Sequence, residues 1–113
     1  MNEAPFLCRL EEIPDGGAIG VTIESATGGF GVILLREGGR VFAYHNECPH
    51  AGRALDYVPG RFLVKDSRIT CAAHGATFAV ASGACVGGPC RSGLVAIPVR
   101  VEDGKVIAAA DAG

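Results

Sequence analysis

The stretch Tyr44-His45-Asn46-Glu47-Cys48-Pro49-His50-Ala51-Gly52 is echoed downstream by Arg68-Ile69-Thr70-Cys71-Ala72-Ala73-His74-Gly75. Both begin in a β-prone run, reach a cysteine and place a histidine two or three residues later. The pattern is C-x-H, a gap of 20 residues, then C-x-x-H. A single Cys in such a chain is ordinarily a small buried hydrophobe, and a single His a surface or satisfied core residue. Two Cys-then-His pairs in sister loops are a different matter. Thiolate sulfur and imidazole nitrogen are metal donors, so Cys48, His50, Cys71 and His74 are the candidate metal-ligating and cofactor-binding residues.

The order suits an asymmetric binuclear iron site, with both thiolates on one iron and both imidazoles on the other. Two ferric ions, two sulfides and two thiolates sum to zero charge. The same cluster on four thiolates would sit at minus two, so an added electron localises on the histidine-bound iron. A mononuclear zinc site is the competing reading, because two Cys and two His also suit tetrahedral zinc. Common zinc frameworks place Cys-x-x-Cys first and His later, which is not the order here.

The rest of the chain narrows the options. At 113 residues it is expected to be one domain spanning 1–113, with the ligand loops within about 45–92. Hydrophobic residues make up 49% and glycine 17 positions, so a modest core must be wrapped in tight turns. The formal charge of -2 comes with scattered Lys and Arg, which gives no support to nucleic-acid binding. Met1–Pro5 has no basic and apolar leader pattern, and no apolar run approaches membrane-spanning length. The expectation is a soluble cytoplasmic protein whose five cysteines are ligands or free thiols rather than disulfides.

Strands are expected over 6–10, 19–23, 32–35 and 40–44, the last two forming a hairpin around Glu37-Gly38-Gly39. A second hairpin, 62–64 and 68–70, turns at Lys65-Asp66-Ser67 and leads into Cys71. Thr77–Val80 follows the second ligand loop. Residues 81–93 hold four Gly and one Pro and are expected to be loop. A last hairpin joins 94–101 to 105–108 around Glu102-Asp103-Gly104, with Pro98 at a position needing no N–H bond. No sustained helical period is present, and about nine antiparallel strands are expected.

In these residues and their order, the chain resembles the Rieske [2Fe-2S] family, in its small soluble ferredoxin form. The likeness rests on Asn46-Glu47-Cys48-Pro49-His50-Ala51-Gly52, Ile69 to Phe78, Gly83 and Gly87-Gly88-Pro89, and runs from about residue 5 to 108. It implies an all-β, antiparallel, sandwich-like Rieske fold with a two-loop cluster-binding subdomain and one [2Fe-2S] cluster per chain. It implies that Cys48 and Cys71 bind the inner iron, that His50 and His74 bind the outer one, and that a third loop at Gly88-Pro89 covers the cluster.

Departures from the high-potential branch of the family matter. The cysteines that tie the two ligand loops together there are Arg53 and Ala73 here, and the Ser and Tyr that donate hydroxyls to the cluster are Ala76 and Phe78. Fewer donors leave negative charge on sulfur less stabilised, so a potential at the low end of the Rieske range, roughly -150 to +300 mV, is expected. Ala72, where many ferredoxin-type members have Pro, should not affect ligation.

Other residues read as follows. His45 is expected to be surface or loop structure pointing away from the cluster, with a partner contact as the less favoured reading, and Arg53 to be either a solvated residue or a partner contact. Cys85 and Cys90 are expected to be free thiols, with a labile disulfide or a functional thiol as the less favoured readings. Cys8 should be core, and Leu55, Phe62 and Phe78 should pack beneath the loops. Gly52, Gly75, Gly87 and Gly88 should let backbone approach sulfur.

The function implied is one-electron transfer from a reductase to a terminal oxygenase, through an apolar cap holding His50 and His74. The chain is not expected to be an enzyme. Only His45 is left for a mononuclear iron site, and no nucleotide-binding glycine pattern is present. Alternatives are a Rieske-like small subunit paired with a large reductase subunit, as in assimilatory nitrite reductase, and a structural zinc domain. Asp56–Arg61 is a candidate partner-specific surface.

Overall fold

Val32-Ile33-Leu34-Leu35 is buried at every position. A strand with one wet face alternates, so an unbroken run means that both faces are covered. The computed structural model, which describes residues 6–25, 28–47, 54–56, 58, 61–71, 75–90 and 92–108, shows how. The run lies in β3 (Gly28–Glu37), between β2 (Ala18–Ser25) and β4 (Arg40–His45) in a three-stranded antiparallel sheet. Ile33 and Leu35 face one core with Tyr44, Leu55, Ile69, Cys71, Phe78 and Val80. Val32 and Leu34 face the other with Cys8, Ile13, Ala43 and Val106.

Each core is closed by a further sheet. The Cys8 side is covered by β1 (Phe6–Arg9), β10 (Lys105–Ala108) and β9 (Val99–Glu102), in that order. The Cys71 side is covered by a four-stranded meander of β5 (Leu63–Lys65), β6 (Arg68–Thr70), β7 (Thr77–Ala79) and β8 (Cys85–Gly87). All pairings between these strands are antiparallel. The ten strands include no α-helix among the described residues, and no helix there is long and apolar enough to cross a membrane.

The hairpins turn where expected. At Asp66-Ser67 and Asp103-Gly104 both central residues have positive φ, between 51° and 73°. That is the requirement of a two-residue turn matching strand twist. Four expectations are corrected. Gly28–Gly31 is strand, because β2 pairs with β3 out to Ser25 opposite Gly28. Leu10–Glu12 is a single 3-10 turn, closed by Glu12 accepting the Arg9 amide at 2.9 Å. Cys85–Gly87 is a strand rather than loop, paired to β7 through a bulge. The expected long strand from 94 is interrupted, and only Val99 onward joins β10. Leu94–Ile97 instead runs along β4, with the His45 amide donating to Val95 and the Ile97 amide to Ala43. Pro98, which has no N–H to donate, stands at the crossing from one sheet to the next.

Tyr44 fastens the β2–β4 sheet to the β5–β8 meander. Its hydroxyl donates to the Val80 carbonyl at 2.6 Å in a buried position. Its ring lies where a Cβ on Gly83 would fall 2.6 Å from a ring carbon, so only glycine fits there. Burial, with a further contribution from the Glu37 charge, raises the Tyr44 phenol above its ordinary value. The folded state therefore holds a proton that the unfolded chain releases. This stabilisation is full below the ordinary phenol range, about pH 10, and is lost as pH rises through the raised value. Tyr44→Phe should lower unfolding free energy by about 1–3 kcal/mol at neutral pH, since the Val80 carbonyl loses its donor. It should also make the alkaline fall in stability shallower, as chemical denaturation at several pH values will show.

Candidate metal centre

β6 ends by delivering Cys71 to the interior, where it is fully buried among Ile69, Ala76 and Phe78. The Cys71 amide donates to the Ala76 carbonyl at 2.7 Å, and the Cys71 carbonyl accepts from the Gly75 amide at 2.9 Å. These two bonds close a tight turn, and Gly75 at φ +78° supplies the left-handed residue that reverses the chain. His74 falls inside this turn in sequence. It lies outside the described residues, as do Ala72, Ala73, Cys48, His50, Gly52 and Arg53. Of the four predicted ligands, Cys71 is the one that the structure positions.

The first ligand segment is held at its neck. Asn46, directly after β4, accepts the Leu55 amide on its Oδ1 at 2.8 Å and reaches Asp56 through Nδ2 at 3.3 Å. Its own amide donates to Gly31 at 3.0 Å. One side chain thus ties the residue before this segment to the two that follow it. Leu55, just past the neck, is fully buried in the same core as Cys71. Both ligand segments are therefore anchored on one apolar cluster, which Phe62 joins from its edge.

A third loop lies over the second. A Cβ on Gly88 would fall 2.5 Å from the Gly75 carbonyl oxygen and 2.8 Å from the Ala76 Cα. Gly88 also has φ +79°, so two independent constraints require glycine there. Cys85 and Cys90 flank this contact and form a disulfide with a Cα–Cα distance of 6.0 Å. That corrects the expectation of free thiols. The spacing in sequence left the pair open, and the bulged pairing of Cys85 opposite Phe78 brings them together. Closing so short a loop removes about 2 kcal/mol of unfolded-chain entropy.

The remaining expectations can be placed. His45 sits opposite Val32 in the β3–β4 register, on the face away from Tyr44 and Cys71, and stacks on Phe30 with ring centroids 4.8 Å apart. It is a structural residue. Cys8 is buried, and burial followed by the Glu12 charge raises its thiol pKa, so it is an inert core residue. Ala76 and Phe78 are both fully buried and bring no hydroxyl beside Cys71. In the segment 56–61, Val58 and Arg61 are exposed and paired by an isolated bridge, while Tyr57, Pro59 and Gly60 lie outside the described residues. Gly75, Val86, Gly88 and Pro89, the described residues around the loop contact, are exposed and uncharged.

The donor chemistry at this end of the molecule fits an iron–sulfur group. A buried sulfur stands at the head of a backbone-closed turn, with a second backbone pressed against that turn at van der Waals limits. Sequence reading missed Asn46 as a structural clasp. Its only signal was an amide side chain two residues before Cys48, the kind that satisfies backbone at a turn. Asn46→Ala should cost about 1–2 kcal/mol of stability, because the Leu55 amide loses its acceptor. It should also raise hydrogen exchange at Leu55 selectively, leaving β3 protected.

The model for the Rieske [2Fe-2S] domain matches residues 3–99. The chain is 29% identical over 101 residues to the 3-phenylpropionate/cinnamic acid dioxygenase ferredoxin subunit of Photorhabdus laumondii, covering 89% of each. It is 32% identical over 100 residues to the naphthalene 1,2-dioxygenase system ferredoxin component of Pseudomonas aeruginosa, covering 87% of this chain and 86% of that one. Among solved structures, the ferredoxin of carbazole 1,9a-dioxygenase from Nocardioides aromaticivorans IC177 superposes with a TM-score of 0.75 at 26% identity, covering 96% of this chain and 98% of that one. The match over nearly the whole length, on a fold that closes the Cys71 turn under a third glycine loop, places the chain in the Rieske [2Fe-2S] domain family.

Proposed function

We propose that this single domain, 1–113, is a one-electron carrier whose cluster is held by Cys48 and Cys71 on one iron and His50 and His74 on the other. The bound group supplies a one-electron redox centre, and the chain's residues set how it is shielded and where it is reached. Cys71 is fixed by its backbone turn and by the core beneath it. The segment carrying Cys48 and His50 is drawn to the same core by Asn46 and Leu55. The observation that carries the reading is the closed Cys71–Ala76 turn with Gly88 seated on it.

The relatives named as ferredoxin components of dioxygenase systems support a place between a reductase and a terminal oxygenase. The uncharged rim of Gly75, Val86, Gly88 and Pro89 suits brief contact with such partners. The net charge of -2 gives little long-range steering. The same reading puts the carrier in the cytoplasm. The family membership sets aside the zinc reading, and the relatives named as ferredoxin components favour an oxygenase system over a large reductase.

Two outcomes test the reading. Iron and acid-labile sulfide should be present at two each per chain, and His74→Ala should lose them while the apo-chain keeps its β-sheet circular dichroism. Ala76→Ser restores a hydroxyl beside Cys71. A hydrogen bond worth about 1 kcal/mol corresponds to about 40 mV for a one-electron couple. The substitution should therefore raise the potential by that order from the low end of the Rieske range, as voltammetry will show. An unchanged or lowered potential would show that Ala76 does not face the cluster.

A further inference from the structure

The Cys85–Cys90 disulfide lies outside the ligand set, and the electron-transfer function does not use it. It closes the sequence Cys85-Val86-Gly87-Gly88-Pro89-Cys90 around the residues that touch the second ligand turn. Cys85 pairs opposite Phe78 and Gly87 opposite Thr77, so the bridge fixes the end of β8 to β7. Gly88 then rests on Gly75 and Ala76.

Three observations mark this bridge as reactive rather than purely structural. Both cysteines are half-buried, and Val86, Gly88 and Pro89 between them are exposed, so a reagent can approach. The reduced form is already provided for. The Cys90 carbonyl is 3.1 Å from Cys85 Sγ and the Gly87 carbonyl is 3.2 Å from Cys90 Sγ, so a carbonyl acceptor stands beside each sulfur when the two part as thiols. Finally, no buried core depends on the bridge, since the two cysteines only border the Cys71 cluster.

We propose that Cys85–Cys90 is a reversible thiol–disulfide site for a dithiol reductant, and that its state sets how tightly the third loop holds the Cys71–Ala76 turn. In the step, a thiolate of the reductant attacks one sulfur, breaks the Cys85–Cys90 bond, forms a mixed disulfide with that cysteine and releases the other as a thiolate. The reductant's second thiol then attacks its own sulfur in the mixed disulfide and releases the first cysteine. Two electrons and two protons pass to Cys85 and Cys90, and the reductant leaves as its own disulfide. With the clasp open, β8 and Gly88 are retained by the β7 pairing and contact alone. In a reducing compartment such bridges are characteristically transient and redox-sensing. The effect on the cluster rests on reading Cys71 and His74 as ligands, whereas the existence of the site does not.

The test uses the full chain with no denaturant. Samples are equilibrated with dithiothreitol over a range of ratios to its oxidised form, and thiols are trapped by alkylation and assigned by mass spectrometry. Cys85 and Cys90 should convert together and reversibly, with Cys8 unlabelled. On reduction, amide exchange at Gly75–Thr77 and Cys85–Gly88 should speed by about tenfold or more, with β3 unchanged. The Cys85→Ser/Cys90→Ser chain should show the fast rate with or without reductant. Iron release to a chelator should rise in parallel. If exchange responds and iron release does not, the clasp stands and the ligand reading of the second loop fails. A bridge that resists native reduction, thiols that stay free under mild oxidant, or exchange that ignores the bridge would each overturn the proposal.

Discussion

The two-faced burial of Val32–Leu35 is the constraint on which the molecule depends. Each of these side chains contributes about 1.5–3 kcal/mol when fully buried, and alternate residues point to opposite sides. One strand thus demands two covers. The β1–β10–β9 sheet meets Val32 and Leu34, and the β5–β8 meander meets Ile33 and Leu35. The meander is the part that carries Cys71. The candidate metal centre is therefore not an appendage, because the core that seats Cys71 is the same one that covers half of β3. Tyr44 reinforces this by reaching from the edge of the central sheet to Val80.

From that base the chemistry follows by short steps. β6 ends at Cys71, and a turn closed by backbone alone needs Gly75 to reverse it. The third loop can approach so closely only because Gly88 has no side chain. The hydroxyls that would stabilise negative sulfur in high-potential relatives are replaced by Ala76 and Phe78, both packed in the core. Their positions gain apolar burial and give up hydrogen bonding, which is the physical reason a low potential is expected.

Much of this was legible in the sequence. The hairpins at Asp66-Ser67 and Asp103-Gly104 were marked by their turn residues, and the Val32–Leu35 run announced a strand, though not its central place. The inward position of Cys71 was implied by the family resemblance, and that of His45 away from the cluster by its place at the end of a strand. What escaped reading depended on contacts distant in sequence. β8 is short and rich in glycine, and it exists because β7 offers a paired edge. The 94–97 segment was read as one strand with 99–101, but its partner is β4. The Cys85–Cys90 bridge needed the bulge opposite Thr77 and Phe78, which no local pattern encodes. Asn46 looked like part of a motif, and its work as a clasp appears only when Leu55 is brought back beside it.

The central claim is that two imidazoles and two thiolates divide between the irons. The most direct measurement is electron–nuclear double resonance on the dithionite-reduced protein with 15N-labelled histidine. The chain has three histidines, and His45 is stacked on Phe30 away from the Cys71 face. Two strongly coupled histidine nitrogens are predicted, and replacing His45 should leave both in place. A reduced cluster with no strongly coupled histidine nitrogen would contradict that claim.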